Sequence, residues 1–342
     1  MKIKKKQRYN VAVIGVGVVG IEMLRVLKER NFPVAELRVF ARSGREIEID
    51  GEKYSVQPIS PTGFEDIDIA LFAGTEGEKG AAVTYASEAI KRGAVVIDNG
   101  ADFRLNPKVP LVVPEVNAKD VREHQGIIAN PNCSTIQLVV VLWPIYKEVG
   151  VKRVIITTLQ AASGAGKQAV EQLNQEIGLI VARGFKDLRI NIENRVMPNQ
   201  LGYNVFPHIG SFDKYDYTTE EWKLVYETQK IMHDNKIKIS ATTVRVAVKT
   251  GHCESVYIET EEYLPLKKLR RILAKSPSII LVDEPKKNIY PTPLEVEGKN
   301  EVLIGRIRRD PFFKRGIWLW SVADNLRKGA ATNAVQIAEL LI

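Results

Sequence analysis

Apolar residues along this chain fall into short β-branched runs separated by amphipathic stretches, and that alternation predicts the architecture before any single residue is weighed. Asn10-Val11-Ala12-Val13-Ile14 reads as a buried strand, and residues 21–30 repeat apolar positions at helical spacing. The alternation recurs with strands over 36–40, 67–72 and 94–98, a hairpin over 46–56 turning at Asp50-Gly51, and a helix over 79–92. Strand followed by helix in this way predicts a parallel, doubly wound sheet with right-handed crossovers. After an apolar helix at 136–146 the pattern changes. A strand at 153–160 and a helix at 167–180 precede an irregular stretch over 185–200, then a Thr-capped helix with an acidic first turn that runs from 217 to 233. Strands at 238–248, 254–259, 279–282, 302–308 and 318–322, with a helix at 266–275, make a second domain of α+β type. A helix over 325–341, rich in small residues at Gly329-Ala330-Ala331, is expected to pack back on the first domain. The fold class is therefore α/β: a Rossmann-type domain over 1–130 completed by 324–342, and a second α+β domain over 131–323.

Length and composition narrow the class. A chain of 342 residues, 45% hydrophobic and 26% charged, has enough apolar material for two cores and too much for a disordered protein. The longest apolar run, 136–145, is interrupted by Gln137 and Pro144 and is too short to span a bilayer. The basic N-terminus lacks the apolar stretch of a signal peptide, so a cytoplasmic protein is expected, with no membrane partner. The net charge of +8 comes from scattered Lys and Arg without an aromatic-basic patch. It suits small anionic ligands or a solvated lysine-rich surface, and gives no reason to expect nucleic acid. Two cysteines and four histidines, with no ligand spacing among them, leave no metal site.

Candidate chemistry sits at the joints of the pattern. Gly15-Val16-Gly17-Val18-Val19-Gly20 lies between a strand and a helix, where Gly-x-Gly-x-x-Gly allows a tight turn and close approach of a dinucleotide pyrophosphate to the helix N-terminus. The next strand ends in Arg42-Ser43 where an NAD-binding chain places a carboxylate, which favours the 2′-phosphate of NADP; a solvated arginine loop is the plainer alternative. Loops after later strands, at Gly74-Thr75 and 99–104, fall on the ligand-binding edge of such a sheet, making Arg104 a candidate anion contact or a surface ion-pair partner. Cys133 stands where a turn opens the apolar helix, a place that favours thiolate over thiol, although a lone cysteine there is more often packed core. A second small-residue loop, 161–167, contains Ser163 and Gly164 and could let backbone approach a cofactor. Arg245 lies on a strand, and His252, on the turn after it, is expected to be exposed enough to exchange protons.

Taken in order, the glycine loop, Asn130-Pro131-Asn132-Cys133-Ser134-Thr135-Ile136-Gln137, the segment 160–166, Arg245 to His252, Tyr290-Pro291-Thr292-Pro293 and Asp324-Asn325-Leu326-Arg327-Lys328-Gly329-Ala330 resemble aspartate-β-semialdehyde dehydrogenase over nearly the whole length. The resemblance implies a glyceraldehyde-3-phosphate-dehydrogenase-like fold with a dimerising second domain, and a homodimer or homotetramer. It implies NADPH-dependent reduction of β-aspartyl phosphate to aspartate semialdehyde and phosphate, on the way to lysine, threonine and methionine. By position, Cys133 resembles the nucleophile that forms an acyl-thioester, His252 the acid/base and Gln160 the residue orienting the acyl group. Arg245 and Glu220 match the contacts to the substrate's carboxylate and amine; Arg104, Asn132 and Lys223 match the phosphate pocket. Gly15, Gly17, Val18, Val19, Gly20, Arg42, Ser43, Thr75, Ser163, Gly164 and Asn325 are the expected cofactor contacts. The chain departs from the family in four places: a phosphate loop one residue shorter, Cys253 for a serine, Asn99-Gly100-Ala101-Asp102 for a hydroxyl-rich run, and Ala247 for a proline. The sister enzyme acting on N-acetylglutamyl phosphate and a non-catalytic cofactor-binding homologue are the alternatives. Glu220 and the Asn-Cys-Ser-Thr block argue against the first, and the intact set of Cys133, Gln160, Arg245 and His252 against the second.

Overall fold

The computed structural model describes residues 3–74, 80–193 and 195–342 and divides into two compact units. The first takes Met1–Asn132, Lys230–Met232 and Gly329–Ile342; the second takes Cys133–Gln229 and His233–Lys328.

The first unit runs β1 (Tyr9–Ile14), α1 (Val18–Glu29), β2 (Val34–Ala41), β3 (Arg45–Ile49), β4 (Glu52–Pro58), β5 (Ile69–Phe72), α2 (Ala81–Lys91), β6 (Val95–Asp98), α3 (Pro114–Asn117) and β7 (Ile127–Ala129). Its sheet has the order β3-β4-β2-β1-β5-β6-β7, parallel except where β3 returns along β4. Because β2 lies on one side of β1 and β5 on the other, the strand order reverses at β1, the place where open parallel sheets bind ligands beyond the strand ends. Val11, Val13, Ile69, Leu71, Val95 and Ile97 are buried along the sheet against Met23, Leu24 and Leu27 of α1 and against Val335 and Ile337 near the C-terminus. At about 1.5–3 kcal/mol for each fully buried aliphatic side chain, this core fixes where β1 ends and hence where the glycine loop begins.

The second unit runs α4 (Cys133–Val149), β8 (Val151–Gln160), α5 (Lys167–Ala182), β9 (Val205–Phe206), α6 (Thr219–Ile231), β10 (Lys238–Val246), β11 (His252–Thr260), α7 (Leu266–Lys275), β12 (Ile279–Leu281), α8 (Pro293–Val296), β13 (Val302–Arg309) and β14 (Gly316–Ala323). A mixed sheet of order β12-β13-β14-β11-β8-β10-β9 carries α4 on one face, against β8, β11 and β14. Val154, Ile156, Thr158 and Gln160 alternate with more exposed residues along β8, so one face of that strand is buried. A reciprocal capping box opens α6: Glu221 N–H donates to Thr218 Oγ1, and Thr218 N–H donates to Glu221 Oε2 at 2.7 Å.

The expected continuous helix over 325–341 is corrected. The chain winds wider through Arg327–Ala331 and becomes α-helical only in α9 (Thr332–Glu339). Asp324 Oδ1 accepts the N–H groups of Leu326 and Arg327, which turns the chain before the helix can start.

Candidate active site

At the carboxyl end of β1, Gly15 takes φ +99° and donates its N–H to Phe40 O at 2.7 Å, a left-handed turn that favours glycine. Gly20 is required by contact: a Cβ there would stand 1.8 Å from Gly15 O. Gly17 is the opposite case, with nothing within 4 Å of its Cβ position. It caps α1 without a side-chain hydrogen bond, so this 12-residue helix opens on backbone N–H groups that its N-cap side chain does not satisfy. Glycines that close the turn from behind and leave the front open form a cradle that fits a pyrophosphate. Arg42 and Ser43 follow β2 directly and are exposed. Thr75 lies outside the described residues.

Arg104 is buried rather than an exposed ion-pair partner. Its Nε donates to Asn130 O at 3.0 Å and its Nη2 to Asn99 O at 2.7 Å, both just past the ends of β7 and β6. Asn130 is held in turn by Asn99 Oδ1 at 2.6 Å and by Asn333 Nδ2 at 2.7 Å. These bonds fix the direction of the guanidinium fork.

In the second unit the register collects the other candidates. Gln160 is the last residue of β8 and pairs with Arg245 of β10, while β11, on the other side of β8, begins at His252. Cys133, partly exposed, is the first residue of the 17-residue α4. Gln160 Nε2 donates to Ser134 Oγ at 3.0 Å and to Glu220 Oε1 at 3.1 Å, tying the start of α4 to α6. Glu220 Oε2 lies 3.4 Å from Lys223 Nζ, one turn further along the same helix. Ala161 binds two of the candidates at once: its N–H donates to His252 Nδ1 at 3.1 Å, and its carbonyl accepts from Arg245 Nη1 at 2.6 Å. A Cβ at Gly164 would stand 3.0 Å from His252 Nε2 and 3.2 Å from Arg245 Nη1, so only a glycine packs on this pair without displacement. Asn325 Oδ1 accepts Gly251 N–H at 3.0 Å, and its Nδ2 donates to Ser163 Oγ at 3.0 Å. Both cofactor candidates thus support the loops on either side of His252.

His252 itself is the clearest correction to the sequence reading. It opens a strand and is 0% exposed, because the 161–164 loop folds over it. Burial, reinforced by the Arg245 charge and opposed by Glu220, pushes its pKa down to about 3. Burial also lowers Arg245 from its ordinary value, against the pull of Glu220 and Cys133. Cys253, in an apolar cluster with Val296, Leu303 and Val322, is pushed up to about 12 by burial and then by Glu254, so it remains a thiol.

Sequence reasoning missed Ser134, the Ala161 peptide and Glu254. Glu254 shares the inward face of β11 with His252, Val256 and Ile258, is 0% exposed, and has no hydrogen-bond partner for either oxygen. Its signal was available as a carboxylate at the period-2 position of an otherwise apolar face.

A glycine turn between strand and helix in one unit, and a cysteine-headed helix beside buried Gln, Glu, Arg and His in the other, are the features of a two-domain dehydrogenase. Residues 10–124 match the semialdehyde dehydrogenase NAD-binding domain, and residues 142–328 match the semialdehyde dehydrogenase dimerisation domain. The chain is 48% identical to aspartate-semialdehyde dehydrogenase of Aquifex aeolicus, covering 98% of both, and 44% identical to that of Bacillus subtilis, covering 97% of both. The structure of aspartate semialdehyde dehydrogenase II from Vibrio cholerae, also solved complexed with ASA, superposes with a TM-score of 0.91 at 42% identity over 98% of each chain. The chain belongs to the aspartate-semialdehyde dehydrogenase family. It is an oxidoreductase of amino-acid biosynthesis with the glyceraldehyde-3-phosphate-dehydrogenase-like fold and a nicotinamide-dinucleotide-binding domain.

Proposed function

We propose that the chain reduces β-aspartyl phosphate with NADPH to aspartate semialdehyde and phosphate, reversibly, through an acyl-thioester on Cys133, in the supply of lysine, threonine and methionine. The observation that carries this reading is the buried set around the start of α4, in which Gln160 reaches both Ser134 and Glu220 while Ala161 holds Arg245 and His252. Arg245 offers a planar fork to the substrate's carboxylate, and Glu220 offers a carboxylate to its ammonium. The Cys133 sulfur displaces phosphate from the acyl carbon, which divides a difficult reduction into two easier steps. Gln160 orients the acyl group, and His252 is the acid/base. Bound NADPH supplies the hydride that converts the thioester to the aldehyde. The glycine cradle with Val18 and Val19 would hold its pyrophosphate and Arg42 with Ser43 its 2′-phosphate, and the family resemblance adds Ser163, Gly164 and Asn325. The same resemblance assigns the inorganic phosphate to Arg104, Asn132 and Lys223. The matched dimerisation domain supports a homodimer or a tetramer built from it.

Phosphate-dependent reduction of NADP and NAD by aspartate semialdehyde, measured in parallel, tests the reading. Strong phosphate dependence with NADP preferred is expected. Activity only with N-acetylglutamyl phosphate or its semialdehyde would overturn it.

A further inference from the structure

Resting on the proposed role of Cys133, we infer that Gln137 is a positioning residue for that nucleophile: its hydrogen bond to Ser321 sets how α4 is turned and how far it advances along the sheet, and so where the sulfur stands. Gln137 breaks the apolar run that follows Cys133 and is 1% exposed, and the proposed chemistry does not use it. Its Nε2 donates to Ser321 Oγ at 2.9 Å, across 184 residues of sequence. Ser321 is likewise a polar exception, since Ile317 and Leu319 alternate with it along the buried face of β14. Each is the polar residue of an otherwise apolar surface, and the two meet.

The sheet beneath α4 changes character in steps of two residues. Ile156, Val256 and Leu319 stand in register on β8, β11 and β14, and all are buried. The next row toward the site, Thr158, Glu254 and Ser321, is polar and equally buried. Beyond it come Gln160, His252 and Ala323, the last two again in register. α4 packs on these same three strands, and Gln137 meets the polar row.

Burial alone would leave the helix free to turn. Every residue from Ser134 to Leu142 is buried, and apolar contact has no direction. Ser134, bonded to Gln160 at 3.0 Å, ties the first turn of α4 to β8; Gln137, three residues on and on the same face, ties it to β14. β11 lies between those strands, so the two anchors rest on strands about 9.5 Å apart, and turning the helix about its axis stretches one bond or the other. Sliding is opposed as well. A shift along the sheet away from the site would carry Gln137 onto Val256 and Leu319, where its amide would be buried with nothing to pair. What these anchors control is the sulfur. Arg245 feels the Cys133 charge, so a turn of α4 moves the thiolate relative to that guanidinium and to the carbon it attacks. Catalysis is steeply sensitive to displacement of this kind.

The test compares the full-length parent with Gln137→Met, which keeps the length of the side chain and drops the hydrogen bond, with Ser321→Ala, and with the double variant. Ile145→Val, a buried apolar change about three turns further along α4, serves as the control for loosened packing. Iodoacetamide labelling reports on Cys133, because Cys253 is buried and remains a thiol. Gln137→Met and Ser321→Ala should each raise the pH midpoint of labelling by about half a unit or more and lose about 10–100-fold in kcat, with KM changed by less than about threefold. The double variant should lose no more than either single one, because both remove the same bond. Ile145→Val should lower the urea midpoint while labelling and kcat stay with the parent. A labelling midpoint at the parent's value in the two single variants, losses that add in the double variant, or an equal effect of Ile145→Val would make Gln137 a packing residue and overturn the inference; Ser321→Ala, the smaller change, decides where Gln137→Met fails to fold. Absence of semialdehyde turnover in the parent would instead reject the proposed function, and the labelling midpoints would still decide the role of Gln137.

Discussion

Gly20→Ala and Gly17→Ala differ by one methyl each and should fail in different ways. At Gly20 the new carbon would fall 1.8 Å from the oxygen and 2.8 Å from the carbon of Gly15, and 3.3 Å from Ala73 Cβ. The obstructing atoms are backbone, so either α1 or the turn after β1 must shift by more than an ångström. Overpacking of this kind costs about 1–3 kcal/mol, and the backbone obstruction places Gly20→Ala at about 3 kcal/mol. At ~2–4 °C per kcal/mol that lowers the melting temperature by roughly 6–12 °C. Gly17 has φ −76°, which alanine adopts without strain, and empty space in front of it. Its stability should change by less than about 0.5 kcal/mol. Its methyl would nonetheless stand where a pyrophosphate must approach, and NADPH affinity should fall by at least about tenfold, or ~1.4 kcal/mol. Thermal melts of the apo proteins and NADPH fluorescence titrations separate the two effects. If Gly20→Ala melted with the parent, or Gly17→Ala bound NADPH normally, the cradle would be wrong.

Cys133→Ser should abolish turnover while keeping NADPH binding, because an alkoxide is far scarcer than a thiolate at neutral pH; retention of a large fraction of activity would reject covalent catalysis. Cys253→Ser should keep turnover per folded molecule but lose about 1–2 kcal/mol in urea unfolding, since it places a hydroxyl in the apolar cluster of Val296, Leu303 and Val322. Arg42→Ala should weaken NADP by about ten- to a hundredfold and leave NAD almost unchanged, as removal of a charge-assisted phosphate contact does; equal losses for both cofactors would assign Arg42 to the fold.

The glycine loop was legible because its meaning is local: strand, turn and helix follow one another within a dozen residues, and each glycine does one steric job. Cys133 was singled out by its place at the head of an apolar helix, whereas Gln160 and Arg245 took their roles from family positions, and only strand register shows why residues 160 and 245 stand side by side. His252 was misread as exposed because a Gly-His pair after a strand looks like a turn tip. The 161–164 loop that buries it is some 90 residues away in sequence, and nothing in the neighbourhood of His252 announces it. Strand β7 escaped notice since three residues are too few to show a period. The wide turn before α9 depends on where the Asp324 carboxylate points, which composition does not reveal.

Glu254 and His252 face the same side of β11 two residues apart, and their burial gives the protein two opposed pH responses. A glutamate in the unfolded chain loses its proton near its ordinary 4.5, whereas burial without any hydrogen-bond partner holds folded Glu254 protonated to well above that. Above pH 4.5 the unfolded state therefore binds fewer protons than the folded one, and stability falls as pH rises, by at most about 1.4 kcal/mol per unit. His252 does the reverse. Its folded pKa of about 3 lies below the ordinary 6.5, so between those values the unfolded state binds more protons and stability falls as pH drops, with the same limiting slope. Above pH 4.5 the two slopes oppose each other for as long as folded Glu254 keeps its proton and unfolded histidine still titrates, which reduces the parent's net dependence from this pair. Glu254→Gln keeps the shape of the side chain but removes its proton equilibrium. Any cost of the buried amide is independent of pH, so the diagnostic is the change in the difference between variant and parent. That difference should shift in favour of Glu254→Gln as pH rises above 4.5 and become constant below about pH 4, leaving the variant with the steeper acid destabilisation that His252 imposes. Urea midpoints of both proteins from pH 4 to 8 measure it, and a difference that stays flat across the series would show that Glu254 ionises in the folded protein as it does in the unfolded chain.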